Sequence, residues 1–125
     1  MDYQIQVVTV PVTDVDQAAA FYTHQAGFAL DVDYHPADGF RVVQLTAPGS
    51  ACSVQIGTGL TDAAPGSARG TYLAVTDIEA AKAELDGKGV RQDGPIRDIP
   101  DLVRLLTFYD PDDNALMFYQ VTGNG

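Results

Sequence analysis

The chain of 125 residues has no tryptophan, two histidines, one cysteine and only seven basic residues. A single cysteine, Cys52, excludes an internal disulfide and any zinc site built from a cysteine cluster. Apolar runs are a few residues long, far short of the ~20 that a membrane-spanning helix needs. The beginning, MDYQIQVV, lacks the basic stretch and cleavage site of a secretory signal. We therefore expect a cytoplasmic protein with no membrane partner.

Basic side chains are outnumbered by 17 acidic ones, which gives a formal net charge of -10. A surface of this sign repels phosphate backbones, so we expect no nucleic-acid partner. The same field would attract a cationic ligand. The apolar content of 46% is typical of a folded protein with a real core, and the length predicts one domain over residues 1–125.

An internal repeat divides the chain. The run VPVTDVDQA that starts at Val10 returns 63 positions later as LAVTDIEAA, which starts at Leu73. Each copy predicts a strand, a helix N-cap and a helix, and shorter strands follow. The sequence therefore predicts two βαβββ modules, residues 1–60 and 68–122, in an α+β fold. Because neither module is large enough to bury a core alone, we expect them to share one continuous mixed sheet.

Capping residues set the predicted helix ends. Asp14 is expected to cap the first helix and Gly27 to end it in a left-handed conformation, whereas Thr76 and Glu79 are expected to form a capping box for the second. The predicted hairpin turns are residues 36–39, 48–50 and 110–114. The later strands are predicted at residues 29–35, 40–46, 52–57, 89–92, 103–109 and 115–121.

Two motifs carry a family likeness. The pattern V-x-V-x-D-x-x-x-A-x-x-F-Y-x-x-x-x-G-F from Val10 to Phe28, and F-Y-D-P-D-D-N from Phe108 to Asn114, resemble the vicinal oxygen chelate superfamily. That superfamily includes glyoxalase I, extradiol dioxygenases, fosfomycin-resistance enzymes and bleomycin-binding proteins. The resemblance implies a cupped mixed sheet around a small-molecule cavity, and a homodimer in which a module of each subunit helps to close each cavity.

Strand alternation predicts which side chains line that cavity, because residues two apart share a face of a sheet. The predicted ligand-binding residues on the cavity face are Val7, Thr9, Ser53, Gln55, Tyr72, Met117 and Tyr119. Neighbouring positions on adjoining strands are added to this set: Phe40, Gln44, Arg104 and Phe108, with Arg41 as a further neighbour. Cys52 is interpreted as a small buried residue, and His24 and His35 as surface residues. Aromatic rings and amides around an apolar floor are typical of a site for a planar or amphiphilic organic molecule.

The resemblance also locates the metal ligands of relatives. Counting from the motifs places those positions at Val7, Gln55, Gly70 and Met117. Valine and glycine have no side-chain donor, and a thioether is too soft for Zn, Mn, Ni or Fe(II). We therefore expect no metal site here and no cofactor.

Three functions remain open. The first is a metal-free binding protein for a small molecule, such as a cationic antibiotic or an aromatic metabolite, similar to the bleomycin-resistance branch. The second is a metal-independent enzyme of secondary metabolism that uses Gln55, Tyr72, Arg104 or Tyr119; no carboxylate or histidine is predicted on the cavity face, which disfavours acid–base catalysis. The third is a metal-dependent glyoxalase-like lyase or dioxygenase, which would need a different strand register.

Overall fold

Eight strands and two helices make up the computed structural model, which describes residues 1–123. The last two residues of the predicted domain 1–125 lie outside the described residues. Module 1 contains β1 (Val7–Thr9), α1 (Val15–Ala20) with a π-helical turn (Phe21–Gln25), β2 (Ala29–Ala37), β3 (Phe40–Thr46) and β4 (Ser53–Thr58). Module 2 contains β5 (Thr71–Ala74), α2 (Ile78–Gly87), β6 (Arg97–Ile99), β7 (Val103–Tyr109) and β8 (Ala115–Val121).

Each module forms its own four-stranded mixed sheet. The strand orders are β1-β4-β3-β2 and β5-β8-β7-β6, and in each sheet the first pair is parallel and the others are antiparallel. The prediction of α+β architecture with two βαβββ modules is thus confirmed. The prediction of one continuous sheet is wrong for the chain by itself. The modules are joined instead through a shared core and a buried turn, described below.

Both helices begin at aspartates related by the repeat. Asp14 accepts a hydrogen bond from the backbone N of Gln17 (3.0 Å), as predicted. In the second copy Asp77 accepts one from the backbone N of Ala80 (3.1 Å), so the predicted Thr76–Glu79 capping box is wrong. The reason is that α2 begins one residue later than that box requires. Gly27 has φ +80°, the left-handed stop that was predicted.

Two strand predictions are corrected. Strand β2 extends through Pro36 to Ala37, so the first hairpin turn is reduced to Asp38 and Gly39. The predicted strand at residues 89–92 contributes only one isolated bridge, Gln92 to Phe108, and β6 supplies the edge of the sheet instead. Strand β6 has only three residues and lies directly before Pro100, which makes its sequence pattern too short to recognise.

The core lies between the sheets and the helices. One face of each sheet packs against α1 or α2, and one apolar cluster spans both modules. Its members are Val10, Val15, Ala18, Phe21, Tyr22, Phe28, Val43, Leu45, Val54, Ile56, Ile78, Leu85, Val90, Leu106, Phe108 and Leu116. The other face of each sheet points away from the helices.

A polar turn with buried Asp110 and Asn114 side chains ties the two modules together. The Asp110 carboxylate, which precedes the β7–β8 turn, accepts hydrogen bonds from the Tyr22 hydroxyl (2.8 Å), the Asn114 amide (2.9 Å) and the backbone N of Asp112 and Asn114 (both 2.9 Å). Asn114 also donates to the Pro11 carbonyl (2.7 Å). Since Tyr22 and Pro11 belong to module 1, the motif that ends in D-P-D-D-N acts as a joint between modules.

The Tyr22 hydroxyl gives this joint a testable pH dependence. Burial, and next the negative charge of Asp110, raise the pKa of Tyr22 above its ordinary value of 10.0. The folded chain therefore holds this proton more tightly than the unfolded chain. The resulting stabilisation is complete below pH 10 and decreases above it, by about 1.4 kcal/mol per pH unit.

We expect Tyr22→Phe to lower the free energy of unfolding by about 2 kcal/mol at neutral pH, because the bond to a buried carboxylate is lost. We also expect it to flatten the decline in stability above pH 10, because phenylalanine has no proton to lose. Urea unfolding of both proteins between neutral pH and pH 11 measures both effects. Parallel alkaline slopes in the two proteins would show that Tyr22 does not control this decline.

Candidate ligand-binding surface

The open face of each sheet, defined as the face that points away from the helices, carries most of the predicted site residues. In module 1 the register pairs Val7 with Ser53 and Thr9 with Gln55 between β1 and β4. Gln44 of β3 lies opposite Gln55. All of them alternate with core residues such as Val54 and Ile56. Where β1, β4 and the middle of β3 meet, the open face of module 1 is therefore mainly neutral and polar.

Hydrogen bonds order these polar side chains. The Gln55 amide donates to the Thr9 hydroxyl (2.7 Å). The Gln44 amide donates to the Ser53 hydroxyl (3.4 Å), and Ser53 in turn lies 2.6 Å from the Thr46 hydroxyl. Ser53 is only 6% exposed, whereas the two glutamines are half-buried. The two glutamines thus present amide groups on the open face, and Ser53 supports Gln44 from below.

Aromatic side chains dominate the open face of module 2. Tyr72 of β5 and Tyr119 of β8 have ring centroids 6.0 Å apart at an interplanar angle of 67°. Met117 lies opposite Tyr72 in the same register and opposite Thr107 on its other side. An edge-to-face ring pair beside a thioether is a suitable surface for a flat apolar group.

Two predicted site residues lie on the wrong side of their strand. Arg104 bonds to Asp98 (2.8 Å) and Glu79 (3.2 Å), and Glu79 belongs to α2, so Arg104 is on the helix-facing side. Phe108 is fully buried in the core against Phe118, with ring centroids 4.8 Å apart. The predicted placement beside the cavity face is wrong for both residues, because β7 places residues 104, 106 and 108 toward α2.

Arg41 is a third neighbour that lies toward the helices. Arg41 bonds to Asp33 (2.9 Å) and to Asp16 of α1 (2.8 Å). It is the repeat counterpart of Arg104, since Arg41 and Asp16 both precede their module 2 equivalents by 63 positions. The neighbouring acids hold the pKa of both arginines above the ordinary range. These arginines join helix to sheet and point away from the open face.

The remaining predicted positions fall where alternation placed them. Phe40 shares the open-face parity of Gln44 and is 39% exposed. His24 and His35 are exposed, as predicted, whereas Cys52, which was predicted to be buried, is only half-buried. Ligand binding by the open-face residues stays a prediction.

Strand β2 supplies open-face residues that alternation missed. Val32 lies opposite Gln44, and Tyr34 lies opposite Val42. The Asp31 carboxylate accepts a hydrogen bond from the Thr46 hydroxyl, which brings a carboxylate to a face expected to have none. Register shifts after Leu30 and after Tyr34 break the two-residue period, so counting along the sequence fails here.

Two clefts reach the open-face positions Thr9 and Tyr72. A cleft of about 240 Å³ is lined by Thr9 and by residues 57–61, and one of about 440 Å³ is lined by Tyr72, Phe28, Phe118 and residues 47–50. Thr9 and Tyr72 are themselves equivalent in the repeat. The first cleft therefore borders β1 and the second borders β5; the second also contacts Ala81 and Glu84 of α2, so it extends toward the helix side of its sheet.

The metal positions implied by the family resemblance do not fit a catalytic metal. Among Val7, Gln55, Gly70 and Met117, only Gln55 has an oxygen donor, and its amide nitrogen is already bonded to Thr9. A catalytic centre normally uses about three protein ligands that include imidazole or carboxylate. Within residues 1–123, no three His, Cys, Asp or Glu side chains come together as a possible metal site.

Comparison with known proteins gives a family model and close structural relatives. The model described as Glyoxalase/Bleomycin resistance protein/Dioxygenase superfamily matches residues 4–118. A search of the curated proteins found no match. Neither helix in the described part of the chain has the length and apolar character needed to cross a membrane.

Solved structures cover almost the whole chain. TnmS3, an antibiotic binding protein from Streptomyces sp. CB03234, is 33% identical with a TM-score of 0.86, over 97% of this chain and 98% of its own. A glyoxalase/bleomycin resistance protein from the same strain is also 33% identical, with a TM-score of 0.80. The match covers 94% of this chain and 100% of that protein. A superfamily member from Sphaerobacter thermophilus DSM 20745 is 27% identical, with a TM-score of 0.85. The match covers 95% of this chain and 98% of that protein.

Proposed function

The chain belongs to the glyoxalase/bleomycin resistance protein/dioxygenase superfamily, and from that premise we propose that it binds a planar or amphiphilic organic molecule without a metal. The observation that carries this proposal is the pair Tyr72 and Tyr119 on one open face, matched by Gln44 and Gln55 on the other. Rings provide stacking area, and amides fix orientation. The likeness to an antibiotic binding protein supports the same class of ligand.

A second copy of the chain is part of this proposal. Large apolar side chains on the open faces are exposed, including Tyr34 (56%), Tyr72 (56%) and Val121 (54%). Such a surface is costly in water and is typical of an interface or a ligand groove. In a homodimer, the open face of module 1 in one subunit would cover that of module 2 in its partner, with the ligand between them.

We expect light scattering of the purified protein to give twice the chain mass of 13.3 kDa. Adding charge at the exposed apolar surface, as in Val121→Glu, should shift the mass toward that of one chain, because burial of this side chain would then be unfavourable. Asp62→Glu, a conservative change in an exposed loop, serves as the control. A wild-type mass of one chain at high protein concentration would exclude the dimer.

The metal-free part of the proposal has its own prediction. Elemental analysis of protein purified without chelators should give less than about one-tenth of an equivalent of Ni, Zn, Mn or Fe, since the donor set is too weak for a site that retains metal. The prediction would be contradicted if the protein held one equivalent of any of these metals and lost it when open-face residues were substituted. That result would favour the lyase or dioxygenase alternative.

A metal-independent enzyme is the second candidate, and Asp31 is the observation that favours it. Its carboxylate is the acid–base group that sequence reasoning did not find on this face. Turnover of a bound aromatic ligand that disappears in Asp31→Asn, with ligand affinity retained, would establish this candidate. Binding without turnover over a wide pH range favours the binding protein.

A thermal-shift screen with planar aromatics and cationic glycopeptides tests the proposed function as a whole. A ligand at 100 times its Kd stabilises the folded state by about 2.7 kcal/mol, which is readily measured as a rise in Tm. We expect stabilisation by at least one of the two classes, and none by matched nonaromatic anions.

A cytoplasmic location also belongs to the proposal, and the single free cysteine, which suits a reducing compartment, supports it.

A further inference from the structure

Four polar side chains on the open face of module 1 form a continuous hydrogen-bonded row. Asp31 of β2 contacts Thr46 of β3, Thr46 contacts Ser53 of β4 at 2.6 Å, and Ser53 contacts Gln44 of β3 at 3.4 Å. The row begins at an exposed carboxylate, crosses a buried hydroxyl and ends at a half-buried amide. It therefore links the charge of Asp31 to a side chain positioned for the ligand.

The direction of every bond in the row follows from its first member. A carboxylate offers only acceptors, so the single hydroxyl proton of Thr46 must point to Asp31. Thr46 then has no proton for Ser53, and Ser53 must donate to Thr46. Having given its own proton away, Ser53 can only accept from Gln44, which must turn its amide nitrogen inward.

The row consequently leaves acceptor atoms free on this face. Gln44 has its carbonyl oxygen for a guest molecule, beside the second N–H of its amide, and Asp31 retains its second carboxylate oxygen. The carbonyl oxygen of Gln55 is likewise free, because one N–H of its amide donates to Thr9 (2.7 Å). The net charge of -10 adds a field of the same sign.

We propose that Asp31 sets the hydrogen-bond polarity of this face through Thr46 and Ser53, and thereby selects ligands that carry hydrogen-bond donors, above all a protonated amine attached to a planar ring. The inference rests on the proposed function and specifies its ligand class. Asp31 and Gln44 are assigned to ligand contact, whereas Thr46 and Ser53 are positioning residues.

Two probes of the same shape test the selection. 9-Aminoacridine carries donors and a positive charge at neutral pH, and acridine-9-carboxylate carries only acceptors and a negative charge. We expect wild-type protein to bind the amine at least about tenfold more tightly, the effect of one charge-assisted hydrogen bond. An equal or reversed preference would overturn the proposal while leaving aromatic binding intact. Failure of both probes to bind would count against the proposed function.

Three variants distinguish the effect of the hydrogen-bonded row on ligand preference from the effect of negative charge alone. Asp31→Asn should reduce the preference at least about tenfold, since an amide can donate or accept and no longer fixes the direction. Asp38→Asn removes the same charge from the adjoining turn and should leave the preference within about twofold. Thr46→Val keeps the Asp31 charge but interrupts the row, and should reduce the preference about threefold. Equal effects of Asp38→Asn and Asp31→Asn, or no effect of Thr46→Val, would refute the relay.

A neutron structure of the unliganded protein tests the polarity without any probe. The deuteron of Ser53 is expected on the line to Thr46, and the amide deuterons of Gln44 are expected to face Ser53. A Ser53 deuteron that points to Gln44 would refute the assigned direction, whatever the protein binds.

Discussion

Replacing Asp110 by alanine is expected to lower the free energy of unfolding by about 4 kcal/mol. The change removes the carboxylate that accepts hydrogen bonds from the Tyr22 hydroxyl, the Asn114 amide and two backbone N–H groups, and three of these four bonds are buried. Each unsatisfied buried donor costs about 1–3 kcal/mol, partly recovered by relaxation. Because domains of this size are stable by about 5–15 kcal/mol, the variant should be close to unfolding.

Urea unfolding followed by circular dichroism measures this effect, with Asp62→Ala as the control. Asp62 lies exposed in the loop between the modules, and its removal should change stability by less than about 0.5 kcal/mol. A double-mutant cycle with Tyr22→Phe should show strong coupling between the two sites. Independent, additive losses would mean that the turn does not join the modules through this bond.

Replacing Tyr72 or Tyr119 by alanine is expected to weaken binding of a planar aromatic ligand about thirtyfold. Truncating an aromatic residue at the centre of a binding surface typically costs about 2 kcal/mol. Neither ring is part of the buried core, so thermal stability without ligand should fall little. Fluorescence titration with 9-aminoacridine gives the affinity of each variant.

Tyr72→Phe and Tyr119→Phe distinguish the rings from their hydroxyls. Phenylalanine keeps the stacking surface, so these variants should bind within about threefold of the wild type if stacking carries the affinity. Loss of binding in the phenylalanine variants to the level of alanine would assign the affinity to the hydroxyls and favour the catalytic alternative.

The amino-acid sequence was sufficient to predict the local structure where its pattern was both regular and repeated. Asp14, Gly27 and the alternation of Val54, Gln55 and Ile56 each follow from local rules, and the structure agrees with them. The 63-residue repeat held further information. It relates Asp14 to Asp77 and would have corrected the second helix cap, and it relates Arg41 to Arg104 and would have predicted their matching bonds to helix and sheet.

Irregular strands explain most of the errors at the site. Strand β7, with the sequence VRLLTFY, has apolar residues on both faces, so its alternation does not decide where Phe108 points. Strand β2 contains register shifts that no simple count anticipates, and these bring Asp31 to Thr46. The row from Asp31 to Gln44 spans three strands, and such a contact depends on the register between strands rather than on any one segment.

Calorimetric titration of 9-aminoacridine into the protein, before and after exhaustive chelation, tests metal-free binding by the open faces most directly. Chelated and untreated protein should bind the ligand with the same Kd, and both should bind it about thirtyfold more weakly when Tyr72 is replaced by alanine. Binding that disappears on chelation and returns with one equivalent of a divalent metal would contradict metal-free recognition.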